Sequence, residues 1–205
     1  GGMLRGMTGQ ASTDAPIISI VGERVALGPL RRDLVPLYER WVNDFEVTRS
    51  TDMGMRPRVR EFEEQFYDRM ATSERDVVFT IYERPGLGAI GVTGLHNVDH
   101  ANRRADFGIM IGEKAAWGKG YGTEATRLAL EYAFVALGLH NVLLRVYAFN
   151  ERAIRAYERA GFRMIGRRRE CKRVGSHLYD EIYMDCVATE FRPTVLVKLL
   201  PTPRG

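Results

Sequence analysis

Trp117-Gly118-Lys119-Gly120-Tyr121-Gly122-Thr123-Glu124 decides how this chain is read. Its three glycines, at alternate positions, separate an apolar run, Phe107 to Ile111, from an amphipathic segment, Glu124 to Leu137. That order predicts a strand, a tight glycine-rich turn and a helix. Such a turn leaves backbone N–H groups without partners at a helix N-terminus, where they act with the helix dipole to favour an anion. Glycine lets a ligand come close to the backbone and permits positive φ. Two common anion loops do not fit. A P-loop needs four residues between its first glycine and Gly-Lys-Ser/Thr. Here five separate Gly112 from Gly118, and Gly120 follows Lys119 where a hydroxyl should stand. The dinucleotide fingerprint needs G-x-G-x-x-G and an acid about 20 residues on. The order here is G-x-G-x-G, and the region near Asn141 offers no such acid.

Strands and helices alternate on both sides of this turn. Ile17 to Leu27 is apolar but broken at Gly22-Glu23, which predicts a strand pair or a bent first strand ended by Gly28-Pro29. Leu34, Leu37, Tyr38, Trp41, Val42 and Phe45 recur at helical steps, so 33–44 reads as an amphipathic helix with Pro36 in its first turn. Val59, Phe62, Phe66 and Met70 mark a second helix. Between them, 46–57 reads as a flexible loop whose acids, with Asp44, could attract a cationic amine or simply be solvated. Two strands, 77–82 and 89–95, flank the turn Pro85-Gly86-Leu87-Gly88, and 96–102 reads as the loop before a strand at 105–111. Ala125, Leu128, Ala129, Tyr132, Ala133 and Ala136 form one apolar helix face, stopped by Gly138. A strand at 141–147, a helix capped by Asn150 and ended by Gly161, and a closing pair at 162–165 and 178–187 complete the chain. The arrangement predicts an α/β (α+β) protein with a mixed sheet and helices on both faces.

The chain has 205 residues, 45% of them hydrophobic and 27% charged, which suits one soluble domain with a sizeable core. No apolar run approaches a membrane span, and 1–16 lacks the apolar stretch of a secretory signal. Gly1-Gly2-Met3 reads as an expression scar, and 1–16 as disordered. The domain is expected over 17–191, followed by a tail at 192–205. Cys171 and Cys186 form neither a disulfide framework nor a zinc motif, and a cytoplasmic location follows as the expectation. The net charge of +4 is modest and suits an anionic ligand without requiring nucleic acid.

Two blocks together resemble the GNAT superfamily of N-acetyltransferases. Residues 117–122 are similar to the family's coenzyme A loop, Arg/Gln-x-x-Gly-x-Gly/Ala, with Trp117 in the Arg/Gln place. Residues 150–162, Asn-Glu-Arg-Ala-Ile-Arg-Ala-Tyr-Glu-Arg-Ala-Gly-Phe, resemble its Asn-x-x-(Ala/Ser)-x-x-x-(Tyr/Leu)-Glu-x-x-Gly-Phe helix, at the right distance downstream. Within the superfamily, "WGKGYGTEA" looks like the RimJ/RimL type. The resemblance implies a mostly antiparallel sheet that splays between its fourth and fifth strands, and acetyl transfer from acetyl-CoA to a peptide or protein N-terminal amine. Acetylation of a small amine, a polyamine or an amino-sugar antibiotic, is the alternative. A non-catalytic coenzyme A sensor and an RNA- or ribosome-binding module are the alternatives of another class, and a homodimer stays open.

The resemblance also implies site residues. Backbone amides from Gly118 through Lys119, Gly120, Tyr121 and Gly122 to Thr123 would cradle the diphosphate, with Lys119 either adding charge or pointing to solvent. Backbone N–H groups of Ile109, Met110 and Ile111 would polarise the acetyl carbonyl, a donor of that kind being worth about 3–4 kcal/mol. Asn150 would help hold the coenzyme while capping its helix. Tyr157 would protonate the departing thiolate, although its spacing alone is that of core packing. Asp106, where RimJ/RimL-like chains commonly carry Glu, or His96 would take the amine's proton, unless solvent does. His96 and His100 share no helix and no third ligand accompanies them, so no metal is expected. Ser176, His177 and Asp180 lack a nucleophile-elbow context. The basic run 167–173 carries a Glu and no interleaved aromatic residue, so it reads as a solvated hairpin or a contact to an acidic acceptor or partner subunit.

Overall fold

A computed structural model describes residues 15–201. Most of the expected leading segment, 1–14, and the end of the expected tail, 202–205, lie outside them. The described elements are β1 (Ile20–Val21), β2 (Val25–Pro29), α1 (Val35–Asn43), α2 (Phe45–Thr48), α3 (Arg60–Ala71), β3 (Val77–Glu83), β4 (Gly88–Asp99), β5 (Arg104–Ile111), α4 (Tyr121–Glu131), β6 (Asn141–Tyr147), α5 (Glu151–Ala160), β7 (Arg163–Val174) and β8 (His177–Val187). No described helix is long and apolar enough to cross a membrane.

The eight strands form one sheet in the order β1-β2-β3-β4-β5-β6-β8-β7. Every neighbouring pair is antiparallel except β5 and β6. That parallel pairing covers only Arg104↔Asn141, Ala105↔Val142 and Asp106↔Leu143. β5 stays on β4 as far as Gly91↔Ile111, and β6 stays on β8 as far as Tyr147↔Glu181. Each half-sheet keeps its own antiparallel partner, and the sheet opens between them beyond Asp106. These are the fourth and fifth strands of the expected splay, numbered one higher because the short β1 precedes them.

Helices cover both faces because successive side chains of β5 point opposite ways. Phe107 and Ile109 pack with Ala129, Ala133 and Phe162 on the α4–α5 side. Met110 packs with Tyr38 and Trp41 of α1 on the other. α1 buries Tyr38, Trp41 and Val42 of the predicted stripe, and Val35 besides, after a 3-10 turn at Arg32–Leu34; Leu34 and Leu37 are half-buried and Phe45, which opens α2, is exposed. α4 buries Ala125, Leu128 and Ala129 as expected. Ala136 is exposed instead, because the helix continues as a π turn, Tyr132–Ala136, with Leu137 N–H bonded to Tyr132 O at 3.1 Å. The wider turn rotates the following residues off the apolar face.

Four further expectations change. The loop at 46–57 contains most of α2, because the Asp44 carboxylate accepts from Glu46 N–H at 3.0 Å and caps a turn that buries Val47 and Thr48. The first half of the 96–102 loop belongs to β4, which runs on to Asp99 with a register shift at Asn97, whose φ is 51°. Val98 is the reason: its side chain enters the core and its N–H bonds Arg75 O at 2.8 Å. β7 extends from Arg163 to Val174, far past Ile165, bulged between Arg168 and Lys172. The basic run therefore lies on a solvated edge strand, with Arg167 paired to Asp180 at 2.9 Å. The chain after Phe191 is held rather than trailing: Leu196 is buried in the core beside β2 and α4.

Glu131 fastens that segment. Its carboxylate, 1% exposed, accepts from Thr194 N–H (2.7 Å), Thr194 Oγ1–H (3.0 Å), Val195 N–H (2.8 Å) and Leu196 N–H (2.8 Å). Removing one partner from a buried, charge-assisted set strands the others. Glu131→Ala is therefore expected to lower unfolding free energy by about 2–4 kcal/mol in chemical denaturation.

Candidate active site

The opened sheet forms a cleft of about 730 Å³. Its lining includes Gly118, Gly120 to Thr123, Asn150 and Tyr157, the strand residues Asp106 and His96, and Phe62, Glu63 and Phe66 of α3.

The turn is built to leave its amides outward. Among the described residues, no hydrogen bond is donated by the backbone N–H of Gly118, Lys119, Gly120, Tyr121, Gly122 or Thr123; the first intrahelical bond is Glu124 N–H to Gly120 O at 3.2 Å. Gly118 (φ 76°) and Gly120 (φ 81°) adopt left-handed conformations that favour glycine. Arg24 braces the turn from behind. Its guanidinium donates to Lys119 O at 2.9 Å and to Glu124 at 3.3 Å, and its N–H meets Glu124 Oε1 at 2.9 Å. The row of amides is thus fixed by contacts on the far side, and its open face looks into the cleft. A set of fixed, unpaired donors at a helix N-terminus is an anion site.

Gly122 differs from its neighbours. It has no positive φ, and a Cβ there would meet only Ile111 Cγ1, at 3.8 Å. Neither backbone nor packing requires glycine; the space beyond it belongs to the cleft. Trp117 ties the turn to β5, its indole N–H donating to Ile111 O at 2.8 Å, and Arg152 of α5 lies over its ring at 4.3 Å. Lys119 is exposed, 6.0 Å from the Tyr121 ring centroid, and does not line the cleft. Asn150 Oδ1 accepts from Ala153 N–H at 3.3 Å, so it does cap α5, and its side chain also borders the cleft.

Tyr157 projects from α5 between Phe107 and Phe162, at ring separations of 6.2 and 6.1 Å. Its hydroxyl makes no hydrogen bond among the described residues, and burial pushes it up to about 12. Asp106 and His96 are register partners across β4 and β5. Asp106 accepts from Asn97 Nδ2 at 2.9 Å. His96 Nδ1 lies 3.1 Å from Asp76. Burial raises the Asp76 carboxyl, but Ser73, His96 and the Asn97 N–H outweigh it and hold it below the usual range. A carboxylate on Nδ1 favours the tautomer that leaves Nε2 free to take a proton. The pairing of β5 with β4 shows no register shift from Ile111 to Asp106, so the strand is unbulged there.

Every predicted site residue except Lys119 therefore meets at one cleft. The loop acids do not behave as a free cluster. Asp44 and Glu46 both pair with Lys114, at 2.8 and 3.1 Å. Asp52 accepts from Tyr147 Oη at 2.5 Å and from Arg145 at 3.2 Å. Sequence reasoning missed Arg24, Tyr147 and Glu63, because nothing local separates them from solvated residues. Cys186 is buried and its thiol is pushed up to about 11 by that burial, so it is not an activated nucleophile.

A split sheet with a donor-lined turn at its mouth is a built site for an anionic ligand. The acetyltransferase (GNAT) domain profile matches residues 24–163, well over half of the chain, and the chain belongs to that family. It is 40% identical over 76 residues to the spermidine N(1)-acetyltransferase of Escherichia coli K12, an alignment covering 37% of this chain and 40% of that one. It is 34% identical over 101 residues to the "Putative ribosomal N-acetyltransferase YdaF" of Bacillus subtilis 168, covering 49% of this chain and 55% of the relative. The chain thus spans about half, or less, of the curated relatives it matches. The fold is shared with the Vibrio cholerae spermidine N-acetyltransferase solved with CoA and spermine: TM-score 0.75, 22% identity, 82% of this chain and 97% of that one.

Acetyl-CoA is the acetyl donor of the family. The residues present fit its diphosphate, since six adjacent amides lack partners and the space a Gly122 side chain would fill lies against them. Gly122→Ala separates folding from binding. In a helix the added methyl should raise stability by about 0.5–1 kcal/mol. It should also lower affinity for CoA at least about tenfold by calorimetry, because it intrudes on the ligand side. A fall in Tm with unchanged affinity would assign the glycine to folding.

Proposed function

We propose that this protein transfers the acetyl group of acetyl-CoA to a primary amine of a small polyamine-type acceptor, by direct attack within a ternary complex. The observation that carries the reading is the row of unpaired amides at the mouth of the split sheet, with the Tyr157 hydroxyl in the same cleft. Bound acetyl-CoA would supply a thioester. The amides of Gly118 to Thr123 would hold its diphosphate, with Asn150 beside them. Backbone N–H groups along β5 at Ile109, Met110 and Ile111 are the candidates to polarise the acetyl carbonyl, near the edge that β6 leaves unpaired.

Two protons must move. The attacking amine gives one up, and the departing sulfur takes one. His96 suits the first task, because Asp76 orients its ring and leaves Nε2 available; Asp106, held by Asn97, stands beside it. Tyr157 suits the second. Its raised pKa keeps the phenol protonated throughout the working range, so it is an acid ready to donate and not a base.

The small-amine reading is favoured over a protein N-terminus by a strap across the cleft. Asp52 is bonded to Tyr147 and Arg145 of β6, and Thr51 O accepts from Lys172 of β7 at 3.3 Å. These bonds join the α1–α3 side to the far half-sheet and narrow the way in. The spermidine N(1)-acetyltransferases of Escherichia coli and Vibrio cholerae, the latter 36% identical over 73 residues, support the same choice. The Bacillus subtilis relative supports the second reading, a RimJ/RimL-like acetylation of a protein N-terminus.

Release of free thiol from acetyl-CoA, measured against polyamines, monoamines and N-terminal peptides, tests the proposal; turnover with peptides alone would overturn the small-amine reading. Tyr157→Phe is expected to lower kcat about a hundredfold or more while leaving CoA affinity within about twofold. The proton-donating form exists below the folded-state value and is lost above it. With that value at about 12, the wild-type rate should show no Tyr157-linked decline as pH rises to roughly 10.

A further inference from the structure

Three acids line the cleft: Asp52, Glu63 and Asp106. Asp52 and Asp106 have partners within the protein. Glu63 has none. The residue is 4% exposed, its carboxylate accepts no hydrogen bond from any described residue, and Oε1 is fully buried without a partner. A buried carboxylate left unpaired destabilises a fold, so its presence in a cleft points to a group that arrives from outside.

Arg58 favours the ionised form of Glu63 electrostatically, but it makes no hydrogen bond to it, and its own Nε is likewise buried without a partner. The Arg58 guanidinium sits over the Phe62 ring at 4.1 Å and donates to Met53 O at 3.5 Å, without forming an ion pair to Glu63. Glu39, close enough to oppose ionisation of Glu63, is itself paired with Arg60. The α1–α3 part of the cleft lining supplies Tyr38, Val42, Val47, Phe62 and Phe66, together with Arg58 and Arg69. A carboxylate that shares a lining with these apolar side chains matches an ammonium at the end of a methylene chain: the charge meets a charge, and the chain meets hydrocarbon.

We propose that Glu63 anchors a second, non-reacting ammonium of the acceptor, so that diamines and polyamines are preferred over monoamines of equal length. This rests on the acetyl-transfer reading above and adds the residue that recognises the far end of the acceptor. Three N–H donors of an ammonium can satisfy both carboxylate oxygens. The apolar side chains of the lining exclude the water that would otherwise weaken the pair.

The test compares putrescine with butylamine as acceptors for wild type and Glu63→Gln. Wild type should favour the diamine in kcat/KM by at least about tenfold. In Glu63→Gln that preference should fall to about one, through KM for the diamine, with kcat for butylamine unchanged. Tm should stay equal or rise, since an unpaired buried charge has gone. Turnover of both amines with no wild-type preference, or a preference untouched by the substitution, overturns the anchor and leaves acetyl transfer standing. A lower Tm with an unchanged preference shows that Glu63 serves the fold and also overturns it. If neither amine is acetylated, it is the acetyl-transfer reading that has failed. Calorimetric binding of putrescine then decides on Glu63 alone: binding lost in Glu63→Gln supports the anchor, and equal or absent binding overturns it.

Discussion

The structure depends on a parallel pairing that stops after three residue pairs. β5 and β6 meet from Arg104 to Asp106 and then part, each held by its own antiparallel neighbour. Backbone polar groups in a sheet normally find partners, so an interior edge left open is a place where something else can bond. The opening also fixes where the other parts lie. β5 runs past it into the glycine turn, and β6 runs past it into the helix that carries Tyr157. Two segments distant in sequence therefore face each other across one gap.

The electrostatic layout of the cleft follows from which groups are paired and which are not. Six amides lack acceptors while Arg24 fixes their carbonyl side. Glu63 lacks a donor. Asp52, by contrast, pairs with Arg145 and accepts from Tyr147, and Asp106 accepts from Asn97. The cleft thus holds both amides without acceptors and a carboxylate without a hydrogen-bond donor.

Features that rest on neighbours in sequence were legible before the fold was known. The glycine turn, the Asn150 cap and the Gly161 stop are local, and each stands where its residues predict; the apolar stripes of α1 and α4 do so in their central residues, Tyr38, Trp41 and Val42 and Ala125, Leu128 and Ala129. The π turn that exposes Ala136, the continuation of β4 through Val98 and the anchoring of Leu196 by Glu131 were not legible. In each case the deciding partner is distant: Tyr132 packs on Phe79 of β3, Val98 bonds Arg75, and Glu131 meets residues more than sixty positions away.

The acids show the same division most clearly. In sequence, nothing sets Glu63, inside the second helix, apart from Asp44, Glu46 and Asp52 at and after the end of the first: each is a carboxylate among polar residues. By itself the sequence determined that a strand, a donor-lined turn and a helix occur in that order, because backbone conformation answers to glycine, capping residues and apolar spacing within a few positions. Only the tertiary structure decided which carboxylates were already matched by Lys114, Tyr147 or Asn97 and which one was left alone. Pairing of charges depends on distances across the fold, and those are set by packing rather than by position along the chain.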